Sequence, residues 1–294
     1  MRVFHMNLEI YAVNVGFPTG GAATPKHTSL RNEMVTYAAG KVINIAGFTE
    51  SHVPNNFKQA NLVSALDDFG AALNIPTGGT KRKIAVIRCG RTALQDNNEV
   101  VAIVLDGNAT INNYGLKWFS IPQQNFVWHN LNIPATGNFT HHLNIPDEAV
   151  VDYRYIVYVD FNLGIDRYVI GFIHNRVPRS IESAAIMQHI RPQVLERNLL
   201  NPDNLTLLGG DFNVSPLAGG TGQGVLSNGH HGQWYYSPGL TTNANRYDYW
   251  ISQTQLNDPT AAPNTPATSD STPTAPSTAT TGSDHRGVGL EYIY

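Results

Sequence analysis

The chain has 294 residues and a formal net charge of −3, with 19 Lys and Arg against 22 Asp and Glu, so no global positive field gathers polyanions. Hydrophobic residues at 41% allow a substantial core, while charged residues at only 14% leave the surface to Asn, Thr, Ser and Gly. A single cysteine, Cys89, excludes an internal disulfide, and no apolar run approaches the ~18 residues that a membrane span needs.

A strand pattern, rather than a basic and then apolar leader, follows Met1 directly. The expectation is a cytoplasmic protein without stable membrane association, export by a signal-less route being the alternative. Runs rich in Val, Ile and Tyr predict strands at 8–15, 42–48, 83–88, 100–105, 155–160, 168–173, 205–208, 247–251 and 288–294. Apolar spacings of three and four predict helices at 29–40, 56–73 and 181–197, the last with Ile186, Ile190, Val194 and Leu195 inward. Residues 258–282 are almost entirely Pro, Thr, Ala and Ser, which cannot offset the entropy of ordering. Because a strand candidate flanks each side, this stretch is expected to be a mobile surface loop within one domain spanning 1–294. Strands with helices interleaved and no repeat predict an α/β sandwich of two packed sheets flanked by helices.

The chemistry concentrates in two motifs. The apolar run Leu207-Leu208 ends in Gly209-Gly210-Asp211-Phe212-Asn213, which sets a carboxylate and a carboxamide two residues apart on one side of a strand's carboxyl end. Ser283-Asp284-His285 precedes the last strand and offers an imidazole as proton acceptor at neutral pH, with Asp284 or another carboxylate to fix its tautomer. Taken singly, the first is more often an Asx turn and the second a polar loop.

Further motifs stand in a recognisable order: Asn14 in Ala12-Val13-Asn14-Val15, Glu50 closing Ile45-Ala46-Gly47-Phe48-Thr49-Glu50, and His174 closing Ile170-Gly171-Phe172-Ile173-His174. Asp211 with Asn213, Arg246-Tyr247-Asp248-Tyr249 and Asp284 with His285 follow. With these the chain resembles the endonuclease/exonuclease/phosphatase superfamily, the DNase I-like fold. Its motif layout is nearest to the DNase I and cytolethal-distending-toxin nuclease branch. The resemblance implies a four-layer α/β sandwich with mostly antiparallel sheets. It implies a Mg²⁺-dependent phosphodiesterase, Mn²⁺ substituting, that acts on nucleic acid, DNA first, without an obligate protein partner. Glu50, Asn14 and Asp284 would hold the metal, and His285 would be the general base. His174 would stabilise the phosphorane or protonate the leaving oxygen, Asp211 would orient water or assist the leaving group, and Asn213 would bind a phosphate oxygen. Asp248 would support the site from behind. Arg88 and Arg91 would meet the substrate backbone, a solvated turn being the alternative. Such nucleases pair the middle histidine with an acidic residue, and the sequence shows no segment that clearly supplies one. A lipid phosphodiesterase or inositol-phosphate phosphatase and a non-catalytic binding module on the same fold are the competing expectations.

Overall fold

The computed structural model describes residues 1–12, 23–54, 57–79, 81–91, 97–120, 123, 125–131, 139–142, 155–175, 189–195, 204–213, 233–236, 247–252, 270–271 and 285–292. In chain order these form β1 (Arg2–Ala12), α1 (Pro25–Tyr37), β2 (Ile45–Pro54), α2 (Gln59–Ala72), β3 (Lys83–Arg91), β4 (Asn97–Leu105), β5 (Thr110–Ser120), β6 (Asn125–Leu131), β7 (Phe139–His142), β8 (Tyr155–Leu163), β9 (Asp166–His174), a π-type turn (Arg191–Leu195), β10 (Leu207–Asp211), β11 (Gln233–Tyr236), β12 (Asp248–Ser252), β13 (Asp270–Ser271) and β14 (Val288–Glu291). Two seven-stranded sheets result, ordered β13-β14-β1-β2-β4-β3-β7 and β11-β12-β10-β9-β8-β5-β6. Among the described strands, β1–β2, β3–β7 and β9–β10 pair in parallel and the others antiparallel. The expected sandwich of mostly antiparallel sheets is therefore the architecture found.

Side-chain alternation explains the layering. On β1, Val3 faces the opposite sheet, whereas Phe4, Met6 and Leu8 face α1 and α2. Between the sheets Ile45, Ile87, Val101, Leu116, Val157, Phe172 and Trp250 form one apolar core. Outside the first sheet the helices add Leu30, Met34, Leu62, Leu66 and Phe69, and outside the second Ile190, Val194 and Leu195 pack on Ile156, Val169 and Tyr249. The sheets meet closely where Gly47 lies against the Phe172 ring, which is itself edge-on to Trp250. Trp250 also ties the sheets through its Nε1–H, donated to the Val288 carbonyl at 3.3 Å.

Within the described residues the predicted strands and the first two predicted helices are found, but their limits move. Helix α1 starts at Pro25, four residues before the expected start, because Thr24 caps it by accepting the His27 N–H and Pro25 suits the first turn. Strand β1 begins at Arg2 and β4 at Asn97, both earlier than the apolar runs suggest. The alternating β5 and the short β6, β7, β11 and β13 were not expected. Most of the predicted 181–197 helix lies outside the described residues; inside them, Ile190, Val194 and Leu195 are buried as expected, on a π-type turn. Within 258–282, Asp270–Ser271 pair with β14, so this part of the expected loop is held by the sheet edge. No helix among the described residues is long and apolar enough to cross a membrane.

Candidate active site

Register alone brings three of the expected residues into line. Asp211 pairs with His174 across the parallel β10–β9 ladder and with Asp248 across the antiparallel β10–β12 ladder, so one row spans three strands at the same end of the sheet. The facing sheet contributes through two bulges. On β2, Phe48 and Val53 both face the helices although they stand five positions apart, an odd offset that regular alternation forbids. The surplus residue is Glu50, held at φ 48°, a left-handed conformation costly for a side chain of this kind. On β1, Leu8 and Tyr11 share the helix face in the same way and Glu9 takes φ 48°. Before that bulge, His5 and Asn7 alternate with the helix-facing residues and are buried between the sheets.

The polar groups interlock. The Asp211 carboxylate accepts the Asn7 Nδ2–H at 3.0 Å, the Asn213 backbone N–H at 2.9 Å and the Asn213 Nδ2–H at 3.2 Å. Asn213 also donates to the Asn175 carbonyl at 2.8 Å and sits at φ 52°, which Asn tolerates. The Asx turn weighed as the plain alternative is thus present, and it shapes the site. Asp211 Oδ2 lies 3.7 Å from Nε2 of His174 and 3.7 Å from Nε2 of His285. Each imidazole is held from behind by a carboxylate at Nδ1: His174 by Glu99 at 2.6 Å, His285 by Asp248 at 2.7 Å. Glu50 Oε1 stands 3.7 Å from His174 Nε2. Two rings with their Nδ1–H bound to carboxylates present Nε2 to one shared space, the arrangement required for moving a proton there.

Nearby aromatics stay uncharged. Burial, then the Asp211 and Asp248 charges, push the Tyr249 phenol well above its ordinary range, and burial, then Asp211, raise Tyr247.

The structure therefore brings together Glu50, His174, Asp211, Asn213, Asp248 and His285, from both sheets. Asn14 and Asp284 lie outside the described residues. Among the described residues the asparagine of β1 in the cluster is Asn7, and the carboxylate on His285 is Asp248, which was expected further back. Glu99 is the acidic partner of His174 that the sequence did not reveal; the signal was its alternation with Val101, Ile103 and Leu105 on the core-facing side of β4. Arg88 is buried and stands two residues after Val86 in the alternation of β3, whose Ile84 and Val86 belong to the helix-side core. The Arg91 side chain lies outside the description.

Asp211, Asp248 and His285 each present a donor atom within 4.8 Å of one another, but Asp248 already accepts from His285, so this trio is an acid–base pair beside a carboxylate. Glu50 suits a cation better. Its side chain is partly open, and among the described residues its oxygens accept no hydrogen bond, a carboxylate donor of the kind that hard divalent ions take.

No protein-family model matches the chain, and no curated protein matches its sequence. Solved structures do match. An endonuclease/exonuclease/phosphatase family protein from Leptotrichia buccalis C-1013-b aligns over 100% of both chains with TM-score 0.59 at 14% identity. One from Beutenbergia cavernae DSM 12333 aligns over 98% of this chain and 70% of its own with TM-score 0.53 at 14% identity. The catalytic domain of human Nocturnin, solved with a bound sulfate anion, aligns over 100% of this chain and 94% of its own with TM-score 0.51 at 12% identity. The chain has the endonuclease/exonuclease/phosphatase fold, a DNase I-like sandwich, and at these identities the likeness speaks for the architecture.

Proposed function

We propose that the chain, acting as one domain, is a metal-dependent phosphodiesterase, with DNA as the first substrate to test. One observation carries this: two carboxylate-held imidazoles flank the same Asp211 oxygen at equal 3.7 Å distances, with Asn213 beside it. His285, its Nδ1–H given to Asp248, takes a proton from water at Nε2. That water attacks phosphorus, the P–O bond opposite breaks, and His174, braced by Glu99, meets the departing oxygen. Asn213 and Asp211 orient the phosphate and the water. A divalent ion at Glu50, Mg²⁺ or Mn²⁺, supplies neutralisation of phosphate charge when bound. The sulfate held by the Nocturnin domain is consistent with tetrahedral oxyanion recognition on this fold.

With Mg²⁺ the purified protein is expected to nick supercoiled plasmid, and EDTA to stop it. Intact plasmid beside hydrolysis of sphingomyelin or an inositol phosphate would move the assignment to the lipid and inositol class. No turnover of any phosphoester would leave a binding module.

A further inference from the structure

A third imidazole lies behind the two in the cleft and has no part in the steps above. His5 comes from the core-facing side of β1, two residues before Asn7, and its side chain is wholly buried. Its Nε2 is 2.9 Å from the Thr49 hydroxyl on β2. Its Nδ1 has no hydrogen-bond partner among the described residues and stands 3.8 Å from Oδ1 of Asp248. Asp248 is the carboxylate whose other oxygen holds the His285 Nδ1–H, so one imidazole approaches each of its oxygens.

The proton on a neutral His5 has two places to sit. On Nε2, it would leave the Nδ1 lone pair facing a carboxylate oxygen in a dry interior, where two electron-rich atoms repel without screening. On Nδ1, it points the N–H dipole at Asp248 and lets the Thr49 hydroxyl donate to Nε2. The second arrangement satisfies both ring nitrogens' surroundings. We propose that His5 is a positioning residue for the hydrolytic site: a neutral ring, held by Thr49 as the Nδ1–H tautomer, that biases the orientation of the Asp248 carboxylate and so aims His285 Nε2 at the phosphate. This rests on the assignment of His285 as general base.

The surroundings of His5 agree with a ring that carries no charge. Burial first, then the neighbouring His285 and His174, hold its pKa well below the usual histidine value. A second cation against Asp248 would compete with the imidazolium that His285 becomes; a fixed dipole orients the carboxylate and leaves its charge for His285. At 3.8 Å the contact is longer than a hydrogen bond, so it steers the carboxylate without tying it down.

The full-length protein, ¹⁵N-labelled, and its His5→Asn and His5→Leu variants test this, because Asn can place an N–H where Nδ1 was and Leu cannot. Long-range ¹H–¹⁵N spectra are expected to show His5 neutral and protonated on Nδ1. With bis(p-nitrophenyl) phosphate and Mg²⁺, His5→Leu is expected to lose kcat on the order of 10- to 100-fold with KM little changed, and His5→Asn to recover most of it. The His285 ring signals should move in the Leu variant and stay near their places in the Asn variant. A proton on Nε2 in the parent, parental kcat in His5→Leu, or equal losses in both variants would overturn the proposal. A parent inactive on every phosphodiester would remove the assigned function instead; the ring spectra then judge His5 alone, Nδ1 protonation with the His285 shift supporting it and Nε2 protonation refuting it.

Discussion

Single residues of the proposed site divide into groups that move protons and groups that aim them. Truncating His285 to Ala removes the proposed base, and kcat should fall by about 10²–10⁴-fold with the melting temperature nearly unchanged. Asp248→Asn and Glu99→Gln keep the shapes of the partners that hold His285 and His174 at 2.7 and 2.6 Å but remove their charge. Each should lower kcat on the order of 10²-fold, read in the same assay, whereas parental kcat in either variant would mean that the corresponding imidazole does not work through its carboxylate. His5 also sets a stability signature. Its folded pKa lies below the unfolded value of about 6.5, so the unfolded chain takes the proton first as pH falls. The penalty is absent above that value and grows below it by about 1.4 kcal/mol per pH unit, until the folded ring itself titrates. Urea unfolding of the parent and of His5→Asn between pH 7.5 and 5.5 checks this: the variant should lose less stability on acidification, and equal losses would contradict it.

At the scale of elements, Gly47 and the α1–α2 contact make separate claims. A methyl at Gly47 runs into the ring of Phe172, which Trp250 blocks from behind, so Gly47→Ala should destabilise by about 1–3 kcal/mol in urea titrations. On the far side of the first sheet, Asp68 accepts from His27 at 3.0 Å and from Arg31 at 3.2 Å, joining α2 to α1, while His27 Nδ1 meets the Tyr11 hydroxyl at 2.9 Å. Burial alone would raise the Asp68 pKa; the hydrogen bonds from His27 and Arg31 outweigh it and bring it down. That stabilisation is present above the unfolded carboxyl value of about 3.9 and is lost as pH falls through the folded one. Element types were legible because apolar periodicity is local, whereas Asn7, His5 and Glu99 were missed because strand ends were cut where apolar runs stop. Polar residues on the core face of a strand interrupt such runs, and at this site they are the ones buried against Asp211, Asp248 and His174. Glu50 and His174 were legible because each stands just beyond an unbroken apolar run.

At the scale of the whole molecule, two sheets bring residues from positions 5 to 285 to one edge of the sandwich, a convergence that no local pattern encodes. The order of motifs made the fold readable at an identity too low for sequence matching. What the order could not supply was pairing, since Asp248 reaches His285 only when β12 and β14 sit in different sheets that face each other. The net charge of −3 places affinity for a polyanion in this cleft and its cation, so plasmid cleavage should be abolished by chelation and restored by excess Mg²⁺. The most direct measurement of the central claim compares parent and His285→Ala protein on supercoiled plasmid with Mg²⁺. Nicking by the parent and at least about 100-fold slower nicking by the folded variant is the expected result; equal nicking by the two, or an inert parent, would contradict it.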